Sequence, residues 1–139
     1  MEYRFRGFDA VGKKGWVYGD LVHNQKVTKT GLEPRVMVGG YEVVPNSVGL
    51  CTGCKDKDGN LIYEGDIVEC VSWNEYFSKD GKPMEPFRRK MFVYYRNGGF
   101  KMIEPMPVPM KDNEWDIIYN GDIEVVGNLF QNEELLIVR

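Results

Sequence analysis

A mainly β protein is what this sequence predicts, and three observations predict it. Sixteen of the 139 residues are glycine and 13% are aromatic, a composition that suits turns between packed strands. Apolar and polar residues alternate over short runs, the period of a half-buried strand. No ten-residue stretch sustains the 3.6-residue period of an amphipathic helix, which leaves room for short helical turns only.

The elements follow in order. Residues 2–8 alternate, with Tyr3 and Phe5 on one side of an extended chain and Arg4 and Arg6 on the other. Lys13-Lys14-Gly15 is a turn, and Trp16, Val17 and Tyr18 begin a second strand that resumes at Leu21-Val22, giving a first hairpin. Residues 24–34 are polar and end in Pro34, so they read as a loop or short helical turn. Arg35 to Val44 reads as a third strand, interrupted by Gly39-Gly40 at a bulge or bend. Asp58-Gly59 marks a tight turn with positive φ, followed by Leu61, Ile62 and Tyr63, then Gly65-Asp66, then a strand from Ile67 to Trp73. Residues 74–87 carry two prolines and several charges and read as a loop. Met91 to Tyr95 is a strand, Asn97-Gly98 a hairpin turn, and Phe100 and Met102 return on one face. Three prolines make 104–110 an extended connector. Ile123 to Phe130 is the last strand, and Asn132 can cap a helical turn through Glu133, Glu134 and Leu135. The expected core is Phe5, Trp16, Val43, Ile62, Ile67, Val71, Phe92, Tyr94, Phe100, Val125 and Leu129.

Composition limits the function. Eighteen basic and 21 acidic residues give a net charge of -3, with no general pull towards nucleic acid. No run of about 18 apolar residues exists, and the charged N-terminus lacks the apolar stretch of a signal peptide. Three cysteines, Cys51, Cys54 and Cys70, suit free thiols in a reducing cytoplasm.

Tyr18-Gly19-Asp20-Leu21-Val22, Tyr63-Glu64-Gly65-Asp66-Ile67 and Tyr119-Asn120-Gly121-Asp122-Ile123 share one pattern. Glycine supplies an unusual backbone angle, aspartate accepts a backbone N–H, and the aliphatic residue enters the core. Cys51-x-x-Cys54 has only Cys70 and the lone His23 to complete a zinc set, and lacks the helix N-terminus of a redox pair. Asp56-Lys57-Asp58-Gly59-Asn60 starts like a calcium loop, but the sixth and twelfth positions hold Leu61 and Ile67, so it reads as a hairpin tip. His23 has no nucleophile elbow to serve, and neither a phosphate-cradling loop nor His-Glu-x-x-His occurs. No catalytic residues, cofactor or metal are therefore assigned. Arg88, Arg89, Lys90 and Tyr95 offer a basic aromatic strand that could bind single-stranded nucleic acid, although strand-end cations also discourage edge aggregation. Asp56, Asp58, Glu64 and Asp66 are the acids from which a cryptic divalent-cation site could be built.

Three segments together resemble the YopX family. Tyr3-Arg4-Phe5-Arg6-Gly7-Phe8-Asp9 is similar to its opening K-[FY]-R-x-W-D, with Phe8 in place of Trp. Thr52 to Val68 resembles the hallmark TGLKDKNGKEIYEGDIV, and Ile123 to Leu136 resembles the closing EVIGNIYENPELL, with Glu133 in place of Pro. Cys54 stands at a leucine position, which reads it as a packing residue. The resemblance implies a β-rich protein of phage or prophage without assigned enzymatic activity, whose C-terminal part is a small SH3-like barrel and whose members self-associate. It carries over no catalytic residue, and the hallmark positions Gly53, Lys55, Asp56, Gly59, Tyr63, Gly65, Asp66, Gly127 and Asn128 read as a structural turn motif.

The expectation is thus a strand-rich N-terminal part, 1–50, and a small SH3-like barrel or bent sheet, 51–139, that together can form one unit. The leading function is a non-enzymatic module in the host cytoplasm that binds a host or phage protein, or itself. Nucleic-acid binding and a cryptic metal protein or enzyme are the alternatives.

Overall fold

The alternating N-terminus forms a strand, β1 (Phe5–Phe8), but the side carrying Arg6 faces inward: Arg6 is buried and Phe5 only half-buried. The computed structural model describes residues 4–72, 87–117 and 123–137, and among these the chain is mainly β. β1 pairs with β2 (Trp16–Gly19) across a loop that Asp9 organises, its carboxylate accepting the Val11 and Lys14 N–H groups. The chain then leaves this sheet. β3 (Leu21–Thr28) pairs with β4 (Gly31–Val38), not with β1, and β4 turns through Gly39-Gly40 into β5 (Tyr41–Glu42). Both turn glycines have positive φ, so the interruption is a hairpin turn.

The loop expected over 24–34 is therefore a correction: it lies within a hairpin of two eight-residue strands. Most of residues 24–34 are exposed, so this stretch lacks the apolar alternation that marks a half-buried strand. Pro34 is tolerated because β5 pairs only with Met37 and Val38, leaving the edge of β4 free at position 34.

A 3-10 turn at Pro45–Ser47 leads to β6 (Gly49–Lys55), which runs across residue 50 and pairs with both β1 and β7 (Leu61–Tyr63). The order of this sheet is β2-β1-β6-β7. A second sheet has the order β11-β10-β9-β8-β12, from β8 (Asp66–Ser72), β9 (Phe87–Arg96), β10 (Gly99–Glu104), β11 (Asn113–Asp116) and β12 (Ile123–Asn128). All three sheets are open. The expected 74–87 loop lies outside the described residues, except that Phe87 already belongs to β9.

Two apolar clusters hold the sheets. Val17, Val38 and Val43 form the smaller, with Phe5 and Leu21 against it. The larger gathers Ile62, Val68, Met91, Val93, Met102, Ile117 and Ile123, with Cys70 inside and Cys54, Phe100, Trp115 and Val125 packed on it. Cys54 thus packs as a leucine-like residue would. Tyr94, expected in the core, is 43% exposed. Met91-Phe92-Val93-Tyr94-Tyr95 is apolar on both faces of the strand, so alternation alone cannot say which face is inside. Met91 and Val93 took the core; Phe92 and Leu129, like Trp16, are half-buried, and the Val71 side chain lies outside the described residues.

The last strand ends at Asn128, two residues earlier than expected. Asn128 caps a helical turn, α1 (Leu129–Asn132), by accepting the Gln131 N–H at 2.8 Å. The 3-10 turn Glu133–Leu136 follows, and there Asn132 makes no side-chain cap; its Oδ1 accepts the Asn128 N–H instead.

Candidate functional site

The hallmark segment is where the two larger sheets are tied together. Gly65, at φ 88°, donates its N–H to Val93 O and accepts from Leu129 N, each at 2.7 Å. Glu64 reaches both sheets: Oε1 accepts Leu50 N–H and Oε2 accepts Tyr95 N–H, both at 3.1 Å. Asp66 is 1% exposed, accepts the Tyr63 N–H at 2.8 Å and pairs with Arg6 Nη2 at 2.7 Å. The Arg6 guanidinium lies between the rings of Trp16 and Tyr63, at 4.5 and 5.1 Å. Burial pushes the Asp66 carboxyl up from its ordinary value, against the pull of Arg6 and the Tyr63 N–H.

The neighbouring hairpin tip docks on the C-terminal strand. Asp56 accepts N–H groups from Asp58, Asn60 and Val125, and Lys57 N–H donates to Ile123 O. Gly53 and Gly59 have positive φ, as their turn and bulge require, and Lys55 closes the hairpin opposite Leu61. Gly127 differs: it is no turn glycine but stands inside β12 at a register shift, where a Cβ would come within 2.8 Å of Asn132 Oδ1 and 2.9 Å of Leu135. Of the repeated Gly-Asp pattern, the second copy has both parts, a positive-φ glycine and an accepting aspartate. In the first, Gly19 has the angle but Asp20 is exposed; the third lies outside the described residues. The acids considered for a cation, Asp56, Asp58, Glu64 and Asp66, do not converge: among the described residues no three His, Cys, Asp or Glu side chains gather as a metal site.

The basic strand is split by the structure. Arg88, Arg89 and Lys90 line a groove of about 600 Å³ between the start of β9, the connector Pro105–Pro107 and the C-terminal Leu135–Ile137. Tyr95 lies about five residues, roughly 17 Å, further along β9 and stacks edge-on against Phe100 at 5.3 Å. Tyr95 is therefore not gathered with the three cations in that groove. Within the groove, carboxylates answer two of the cations: Arg88 meets Glu69 at 3.2 Å, and Arg89 lies 3.8 Å from Glu104 and over the Trp115 ring. Lys90 is exposed and makes no ion pair among the described residues. The apolar wall joins Leu135 to Ile137 with Met106 of the connector; its sequence signals are that methionine among prolines, which can form a sticky surface or a loop, and the leucine pair that follows the last strand, and neither says that the two meet.

No helix among the described residues is long and apolar enough to cross a membrane. A search of curated proteins finds no match. Among solved structures, the crystal structure of protein EF1440 from Enterococcus faecalis is similar over 99% of both chains, with a TM-score of 0.53 and 22% identity, a likeness of fold. The Arg6-to-Asp66 tie, the Asp56 hairpin tip and the Gly127 contact place all three resemblance segments at one junction, and the family model for the YopX protein matches residues 4–137: the chain belongs to the YopX family.

Proposed function

We propose that the protein is a non-enzymatic binding module of a phage or prophage, working in the host cytoplasm, and that its groove beside β9 takes up an extended segment of a partner protein. One observation carries this reading: an apolar stretch, Leu135 to Ile137, and Lys90, which makes no ion pair among the described residues, line one groove of about 600 Å³. An apolar side chain fits against Leu135 to Ile137, and a neighbouring carboxylate on the same segment complements Lys90. Single-stranded nucleic acid suits the groove less well, because Glu69 and Glu104 stand beside the arginines and would repel phosphates.

The fold belongs to this reading too. The strand order puts β12 beside β8, the last strand of the sheet beside the first, and the Asp56–Lys57 tip covers the other edge of β12. We read this as the small SH3-like barrel of the C-terminal part, with the groove at its C-terminal rim.

The test is an amide-shift titration with a Leu-Glu-Leu-Glu peptide and, separately, with oligo-dT. Saturable shifts at Lys90, Met106 and Ile137 with the peptide, abolished by Lys90→Glu, support the reading. Binding of oligo-dT alone, falling steeply with salt, or no binding of either probe, overturns it.

A further inference from the structure

A second cleft, which shares no lining residue with that groove, has an arrangement the binding-module reading does not use. It measures about 450 Å³ and lies between the N-terminal strand pair and the β6–β7 hairpin tip. Arg4 and Tyr18 form one wall, Asn60 and Val125 the other, and Tyr63 lies among the lining residues with Arg6 and Asp66. Arg6 is already neutralised by Asp66. Arg4 is exposed, stacks over the Tyr18 ring at 5.3 Å and makes no ion pair among the described residues. Stacking uses the face of a guanidinium and leaves its in-plane N–H donors free.

Tyr63 supplies the second, independent observation. The residue is 4% exposed and lines the cleft, and its hydroxyl makes no hydrogen bond among the described residues; Arg6 Nε, in the same lining, is the one buried side-chain polar atom left without a partner among them. The Tyr18 hydroxyl likewise makes no hydrogen bond among the described residues. The Arg4 guanidinium, the Tyr18 and Tyr63 phenols and the Asn60 amide, which also donates to Asp56 at 3.4 Å, thus belong to residues that line both walls of one cleft. A carboxylate offers two oxygens in one plane; a phosphate group offers three, directed tetrahedrally, and matches donors that come from several directions. We propose that this cleft is a binding site for a small phosphate ester, with Arg4 as its charged contact and Tyr18, Tyr63 and Asn60 as neutral donors.

The experiment is an amide-shift titration of the whole chain with phenyl phosphate, inorganic phosphate and benzoate. Phenyl phosphate is expected to give saturable shifts at Arg4, Tyr18, Asn60 and Tyr63, with inorganic phosphate weaker at the same residues. Arg4→Ala, at an exposed position that should leave the fold unchanged, is expected to weaken binding about tenfold, and Tyr63→Phe to weaken it by a smaller factor. Lys90→Glu, in the other groove, should leave this binding unchanged, so the two sites fail or stand separately. No saturable shift, a shift indifferent to Arg4→Ala, or benzoate binding as tightly as phenyl phosphate would overturn the assignment.

Discussion

Asp56 and Asp66 are one residue type put to two uses within one motif. Asp66 is held against a guanidinium in the interior, where desolvation opposes its charge. Asp56 is also desolvated, but N–H donors from Val125, Asn60 and Asp58 outweigh that and hold its carboxyl below its ordinary 3.8. Its folded value lies below its unfolded one, so its contribution is complete above about 3.8 and is lost as pH falls through the lowered folded value. Asp56→Ala removes the acceptor from three backbone N–H groups and is expected to cost about 2 kcal/mol at neutral pH. That gap should narrow in acid, which urea unfolding of both proteins near pH 7 and near pH 3 would measure. A gap constant across that range would mean that the carboxylate charge contributes nothing. The role of Asp56 in its own turn was legible, because an Asx turn is closed by neighbours in sequence. The pairing of Asp66 with Arg6 was not, since nothing local in either segment names a partner so distant along the chain.

Elements were legible where a turn residue or a one-sided apolar pattern marked them. Asn97-Gly98 is such a case: Asn97 at φ 54° and Gly98 at φ 85° adopt the positive-φ pair that a tight hairpin needs. The β3–β4 hairpin lacked both signals, since Lys29-Thr30 at its tip is no turn signature and half of its strand residues are exposed, with one buried. The C-terminal element shows a third situation, in which a glycine is needed for space and not for φ. At Gly127 the helical turn folds back so closely that Asn132 and Leu135 occupy the place of a side chain. Gly127→Val is expected to lift that turn off β12 and cost about 1–3 kcal/mol, the range for overpacking. Thermal unfolding would register the loss, and amide shifts should move at Asn132 and Leu135 while the β3–β4 hairpin stays unchanged. A variant as stable as the parent would show that the turn does not press on the strand.

At the scale of the molecule, the question is what holds the two larger open sheets to one another. Apolar packing makes part of the joint, since Ile62 of β7 and Cys54 of β6 pack in the large cluster with Val68 and Val93 of the second sheet, while Val17, Val38 and Val43 form a separate cluster. Polar groups add to the joint: Arg6 to Asp66, Gly65 to Val93 and Leu129, and Glu64 to Leu50 and Tyr95. Glu64 is the most testable of these, because its two oxygens each hold one amide of a different sheet. Glu64→Ala removes both acceptors and leaves the strands otherwise intact. It is expected to cost about 1–3 kcal/mol and to speed hydrogen exchange at Leu50 and Tyr95. Amides within the β8–β9 ladder, which Glu64 does not touch, should keep their relative protection. Glu64→Gln keeps a single amide oxygen in place of two carboxylate oxygens, so it should restore protection at one of the two amides and not the other. If both amides exchange in all three proteins at the rate set by global unfolding, the sheets are joined by something other than this carboxylate, and the hallmark glutamate serves only its own turn.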